Sequence, residues 1–164
     1  MQRIGSGLDV HVFEEGRDLI LGGVKIPYEK GLKGHSDADV VLHAVMDSIL
    51  GAAGMGDIGE HFPDTDERYR GISSLELLRT VTEMIDEKGL RIENIDVTVI
   101  CEEPKIGPVK EEMKKKILAV TGDTCLNIKA TTTEGLGFTG RKEGIAAHSV
   151  CLLTEQECRR LPNY

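Results

Sequence analysis

From Val40 to Ala53 the chain reads VVLHAVMDSILGAA, apolar or small nearly all the way round a helix. A helix without a polar face cannot lie on a surface, so other elements must cover it on every side. The remainder of the chain therefore has to fold around it. With 164 residues, residues 1–164 are expected to form one compact domain. Hydrophobic residues make up 40% and aromatics only 4%, with no Trp, so the core must be aliphatic. The two conspicuous exceptions in the helix are His43 and Asp47, one turn apart on one face.

The flanking sequence supplies strands and further helices. Arg3 to Phe13 reads as a strand broken by glycines. Leu19-Ile20-Leu21, Gly22-Gly23 and Val24-Lys25-Ile26 read as a hairpin, because Gly-Gly supplies the positive φ of a tight turn. A second helix is expected from about Ser73, which has capping-box spacing to Glu76. Leu77, Leu78, Val81, Met84 and Ile85 form its apolar stripe, and Gly89 ends it. Ile95, Val97, Val99 and Cys101 alternate with Asp96, Thr98 and Ile100 as in a strand. Pro108 can open a third helix, with Val109, Met113, Ile117 and Val120 on one face and Gly122 as its stop. Leu126 to Ala130 and Gly144 to Leu153 read as strands, the last apolar on both faces. This alternation predicts an α/β or α+β fold, one sheet with helices on one face. The uncovered face of the last strand then calls for another subunit.

The formal net charge of −8 argues against a nucleic-acid partner, which needs a basic face. Small anionic substrates are not excluded, since metals and helix N-termini reverse the local sign. No apolar run approaches the roughly 20 residues of a membrane span, and Met1-Gln2-Arg3 leads straight into patterned sequence, so no leader is expected. Cys101, Cys125, Cys151 and Cys158 form no C-x-x-C pair and read as thiols in a reducing compartment. A cytoplasmic protein is expected.

Five constellations carry possible chemistry. Asp9 and His11 stand at i and i+2 of a strand, so both side chains face one side. Alone, a D-x-H triplet often arises by chance. His43 alone would usually be a satisfied core residue, but Asp47 could hold one ring nitrogen and free the other for a metal. Asp9, His11 and His43 would then give three N/O ligands and one open position, the pattern of a catalytic zinc site. His35-Ser36-Asp37-Ala38-Asp39 should supply the helix N-cap from Asp37 or Asp39, and its free amides could take a phosphate. Gly56 to Asp66 is either a polar turn cluster or a loop built to approach a polyol. Thr131-Thr132-Thr133-Glu134 is either a Thr-rich strand edge or a site for a diphosphate and a hard cation.

Taken together, these runs resemble the cyclodiphosphate synthase family, in the right order over nearly the whole chain. The resemblance rests on Gly7-Leu8-Asp9-Val10-His11, Leu21-Gly22-Gly23-Val24, Ile26-Pro27, the run His35-Ser36-Asp37-Ala38-Asp39 with His43-Ala44, Gly56-Asp57-Ile58-Gly59, His61 to Asp66, Pro104-Lys105, Ala130 to Glu134 and Gly137 to Arg141. It implies a small mixed sheet with helices on one face, and three such sheets packed around the axis of a homotrimer with active sites between subunits. It implies Zn²⁺ on Asp9, His11 and His43, and Mg²⁺ or Mn²⁺ through Glu134. Substrate would meet Asp9, Val10, His11, His35 and Ser36. Asp57, Ile58, Gly59, Phe62, Pro63, Asp64, Thr65 and Asp66 would surround a methylerythritol. The cytidine pocket would comprise Cys101, Glu102, Glu103, Pro104, Lys105, Ile106, Gly107, Thr131, Thr132 and Thr133, with Phe138 and Arg141 near an axial channel.

The activity implied is closure of 4-diphosphocytidyl-2-C-methyl-D-erythritol 2-phosphate to a 2,4-cyclodiphosphate with loss of CMP, in the non-mevalonate route to isoprenoid precursors. His35, Thr132 and Asp57 are the expected catalytic residues. No protein nucleophile is needed, because the substrate's own 2-phosphate attacks. Two other readings are a zinc phosphohydrolase using metal-bound hydroxide and a non-catalytic metal- or nucleotide-binding trimer.

Overall fold

The computed structural model describes residues 1–156; Cys158 and the remaining C-terminal residues lie outside it. The strands are β1 (Gln2–Glu15), β2 (Leu19–Leu21), β3 (Val24–Ile26), β4 (Lys30–Leu32), β5 (Leu90–Ile100), β6 (Cys125–Thr131) and β7 (Gly144–Glu155). The helices are α1 (Val40–Ala53), α2 (Ile58–His61), α3 (Ser74–Glu87), α4 (Lys110–Thr121) and α5 (Gly137–Gly140). Five strands form one mixed sheet in the order β4-β1-β7-β5-β6, and β2-β3 make a separate hairpin. Among the described strands only β5 and β6 run parallel, joined through α4. The sequence expectation of one sheet with helices on one face holds.

β1 is a single unbroken strand, and its glycines serve a different purpose from a break. Gly5 and Gly7 face the helix layer directly under α1. A Cβ on Gly5 would lie 2.0 Å from the Ser48 carbonyl oxygen, and one on Gly7 would lie 2.1 Å from that of Ala44. Both are far inside van der Waals contact, so only glycine lets the helix rest on the strand backbone. Two residues further along the same face come Asp9 and His11. The close approach therefore sets the height of α1 above the strand that carries the two polar side chains.

The core follows from this stacking. Leu42, Val45, Met46, Ile49 and Leu50 of α1 are fully buried, against Val97, Val99, Ala147 and Cys151 of the sheet and Leu78, Val81 and Ile85 of α3. The cap of α1 is Asp39, itself fully buried. Its carboxylate accepts the amides of Val41 and Leu42 at 3.1 Å each, and those of Gly22 at 2.9 Å and Gly23 at 2.7 Å in the hairpin turn. One side chain thus ties the hairpin to the start of the central helix. Burial and the neighbouring Asp37 push its pKa up, against the amides of Gly23, Leu42 and Gly22, which favour the carboxylate.

One smaller expectation differs, and two contacts were not foreseen. Ser73 does cap α3, but its hydroxyl accepts from Leu75, and Glu76 turns to Arg79 instead of closing the box. Asp37 reaches α3 as well, accepting the Ser74 amide at 2.9 Å and the Ser74 hydroxyl at 2.5 Å. β4, too short to show a pattern, pairs with the end of β1.

Among the described residues no element covers the outer face of β1. Ile4, Leu8, Val10 and Val12 of β1 are 75%, 64%, 48% and 52% exposed. No helix of the described residues is long and apolar enough to cross a membrane.

Gly7→Ala is expected to lower stability by about 1–3 kcal/mol through overpacking, read as a fall in the midpoint of thermal unfolding. Ser6→Ala on the outer face should fall by less.

Candidate metal centre and flanking pockets

Three side chains converge where α1 passes over β1. Asp9 Oδ2 lies 2.8 Å from His11 Nε2 and 3.0 Å from His43 Nδ1, and the two imidazole nitrogens are 3.2 Å apart. Among the described residues this is the one group of three or more such side chains able to share an ion. The remaining ring nitrogens are anchored elsewhere. His11 Nδ1 donates to the Lys33 carbonyl at 2.5 Å. His43 Nε2 faces the hydroxyls of Ser36 and Ser74, each at 3.2 Å. Because Ser74 gives its own proton to Asp37, its oxygen is left to accept from His43 Nε2–H. That fixes the tautomer and turns the Nδ1 lone pair toward Asp9.

Two acceptors 3.0 Å apart repel unless a cation lies between them. Burial opposes charge on both Asp9 and His11, yet their mutual hydrogen bond and attraction prevail. Asp9 is held well below the usual carboxylate range and His11 is raised above its ordinary 6.5. The three donor atoms span edges close to the roughly 3.3 Å expected for ligands around tetrahedral zinc. A divalent ion with N/N/O ligands fits this cluster.

Asp47 takes no part in orienting His43. Its carboxylate instead accepts the Ile58 amide at 2.8 Å and holds the start of α2. Helical spacing put Asp47 on the right face, but the unpaired amide of a neighbouring loop captured it. The carboxylate behind His43 is Asp37, acting through Ser74.

A cavity of about 580 Å³ opens over the cluster, lined in part by His35, Ser36, Ile58, Gly59, Phe62 and Tyr69. Pro63, Asp64 and Thr65 also line it. Asp57 and Asp66 do not. Asp57 caps α2 through Glu60, and Asp66 caps the turn Glu67–Tyr69 and pairs with Arg68 at 2.6 Å. Val10 points to the bare face, as any residue between Asp9 and His11 must.

A second cavity of about 480 Å³ lies at the C-terminal ends of β5 and β6. Cys101, Pro104, Lys105, Ile106, Gly107, Thr131, Thr132 and Glu134 line it. Glu102, Glu103 and Thr133 do not. Glu102 accepts the amides of Thr133 and Gly135, both at 3.1 Å, and so braces the loop on either side of Glu134. Glu103 pairs with Lys142 at 2.8 Å. Burial pushes the Cys101 thiol up to about 11, which removes it as a nucleophile. Phe138 and Arg141 line neither cavity; Phe138 is 39% exposed and Arg141 pairs with Glu143 at 2.7 Å. The two cavities share no lining residue. Asp9, Ala147, Val99 and Ala130 form one row across the sheet, so three strand spacings, roughly 14 Å, separate the strands that carry them.

An Asp-His-His cluster on a strand–helix contact, with the His35-Ser36 loop on one side and a Thr-rich pocket beyond, marks a small α+β protein with a candidate metal site. Residues 2–154 match the YgbB family model, and the chain belongs to that family. It is 60% identical over 153 residues to the 2-C-methyl-D-erythritol 2,4-cyclodiphosphate synthase of Clostridium acetobutylicum, covering 92% of this chain and 99% of that one. It is 59% identical over 155 residues to the protein of the same name from Agathobacter rectalis, covering 93% and 87%. The bifunctional IspDF of Campylobacter jejuni superposes with a TM-score of 0.91 at 45% identity; the match covers 96% of this chain and 43% of that longer one. The CDP complex of IspF from Plasmodium falciparum superposes at 0.83 and 35% identity, covering 95% and 97%.

His43→Ala should abolish tight zinc retention while the fold persists, checked by metal content and circular dichroism. Asp47→Ala should leave zinc affinity near that of wild type, whereas Ser36→Ala with Ser74→Ala should weaken it about 10–100-fold. The pH dependence has two opposite signs. The raised His11 pKa gives the metal-free protein stability that is complete below pH 6.5 and lost as pH rises through the raised value. Zinc must displace that proton, so affinity should rise over the same interval, as calorimetry at several pH values would record.

Proposed function

We infer that the chain converts 4-diphosphocytidyl-2-C-methyl-D-erythritol 2-phosphate to 2-C-methyl-D-erythritol 2,4-cyclodiphosphate and CMP. The observation that carries this reading is the Asp9-His11-His43 cluster at the floor of a cavity whose wall is the His35-Ser36 loop. The relatives' shared name supplies the substrate. A CDP complex among the structural neighbours supports a cytidine nucleotide as ligand, which the proposal puts in the second cavity.

Asp9, His11 and His43 would hold Zn²⁺, and Glu134 would hold Mg²⁺ or Mn²⁺ together with the diphosphate. When bound, the two ions supply Lewis-acid anchoring and charge neutralisation for phosphate oxygens. The rest falls to the chain. His35 and Ser36 bind the phosphate end and orient it against the β-phosphorus. The bond from the 2-phosphate oxygen to that phosphorus forms as its bond to the CMP oxygen breaks. Thr132 donates toward the departing phosphate, whose charge is then stabilised in place. Phe62 and Ile58 close the cavity on its apolar side. Asp57, which caps α2, positions Ile58 and Gly59.

Assembly belongs to the same reading. The exposed Ile4, Leu8, Val10 and Val12 line one apolar face of β1, the kind of surface that marks a protein–protein interface. Three copies packed on that face would bring one chain's metal cavity against a neighbour's nucleotide cavity. That explains why the two cavities on one chain share no residue. A cytoplasmic, homotrimeric enzyme is proposed.

Three outcomes test this. The product of a reaction run in ¹⁸O-water should carry no solvent oxygen, whereas a phosphohydrolase would incorporate it. Light scattering should give a trimer at micromolar concentration; a stable monomer would contradict the shared site. Glu134→Gln should keep zinc and fold but lose at least about tenfold in turnover, partly recovered by raising Mg²⁺. Unchanged turnover at low Mg²⁺ would remove Glu134 from the site.

A further inference from the structure

The loop Gly34-His35-Ser36 separates two cavities. On one side is the space over the metal cluster. On the other is a second space of about 570 Å³, whose wall includes Arg17 and Arg70. Arg17 is not among the residues any part of the functional reading requires. Yet its guanidinium grips this loop at two points. Nη1 donates to the Gly34 carbonyl at 2.7 Å and Nη2 to the Ser36 carbonyl at 2.8 Å. Glu14 stands 3.7 Å behind Nη1 and steadies the charge. The carbonyl between them, that of His35, accepts the Gly71 amide at 2.9 Å. Three consecutive carbonyls are thus fastened to the scaffold.

A trans peptide is planar, with its C=O and N–H pointing opposite ways. Fastening the Gly34 carbonyl therefore aims the His35 amide away from Arg17. Fastening the His35 carbonyl fixes the Ser36 amide in the same manner. The Asp37 amide is taken by the Ile72 carbonyl at 3.1 Å. The amides of His35 and Ser36 have no protein acceptor among the described residues. A charged donor on the carbonyl end also polarises the peptide and strengthens its N–H as a donor.

We propose that Arg17 is a positioning residue for the phosphate subsite, holding and polarising the Gly34–His35 peptide so that the His35 and Ser36 amides receive an anionic phosphate group. This rests on the reading of the metal-side cavity as the phosphate end of the substrate site. Arg17 itself does not touch the anion. It works from behind the loop, through peptide bonds, and leaves Asp9, His11 and His43 alone. Lys cannot replace it fully, because an ammonium lacks the planar fork that spans two carbonyls.

The test uses zinc-loaded full-length protein and inorganic phosphate, with amide shifts of His35 and Ser36 followed by ¹⁵N NMR. Both amide protons should move downfield in wild type as phosphate is added. Arg17→Gln should raise the phosphate dissociation constant about tenfold and shrink both shifts. Its zinc content should match wild type. Arg17→Lys should fall between the two, and KM for the cytidine substrate should rise in the same order with a smaller change in kcat. If the Gln variant does not fold, the Lys variant is read by the same criteria. Wild-type phosphate affinity and amide shifts in a folded variant would overturn the proposal, as would amides that ignore phosphate in an enzyme that turns over. Arg17-dependent phosphate binding in a protein that releases no CMP would uphold it and sink the proposed reaction instead.

Discussion

The structure depends on one contact: α1 resting on the backbone of β1 over Gly5 and Gly7. Ser48 and Ala44 carbonyl oxygens occupy the space where side chains would otherwise begin. A side chain at either glycine would push α1 off the strand and carry His43 away from the strand side chains. At the observed spacing Nδ1 comes within 3.0 Å of Asp9 and 3.2 Å of His11. The same approach explains why α1 tolerates no polar face. Sheet below and α3 beside it leave only the His43 edge facing a cavity.

Around that contact the polar groups interlock. Asp39 ties the hairpin turn to the start of α1, and Asp37, two residues earlier, ties the start of α3 to the Ser74 hydroxyl behind His43. The left-handed Ala38 between them, with φ of +57°, sends the two carboxylates to different helices. One short segment thereby caps two helices and orients the candidate metal ligand His43. Its preceding residues, His35 and Ser36, form the wall of the same cavity. The cavity wall and two helix caps share one loop, so changes to either should disturb both.

Much of this was legible in the sequence because it follows local periodicity. The hairpin over Gly22-Gly23, the central helix from Val40 to Ala53 and the one-sided placement of Asp9 and His11 all obey turn chemistry or a period of 2 or 3.6. What was not legible is tertiary. Gly5 and Gly7 look like strand breakers until the helix above them is known. Asp47 satisfies helical spacing to His43, yet the loop amide of Ile58 takes it. Asp37 reaches Ser74, 37 positions away, and no local pattern signals that. Glu102 lies in a stretch that reads as pocket lining, but two loop amides turn its carboxylate away. For Asp47, Asp37 and Glu102 alike, a backbone amide elsewhere in the fold decided where the carboxylate went.

The central claim is that the glycine-seated helix assembles a three-ligand site from Asp9, His11 and His43 with no cysteine. X-ray absorption at the zinc edge of the loaded protein tests it most directly. The account predicts two imidazole nitrogens at about 2.0–2.1 Å, oxygen ligands at about 2.0–2.2 Å and no sulfur shell. A sulfur shell near 2.3 Å, or a zinc spectrum that keeps both imidazoles in His43→Ala, would contradict it.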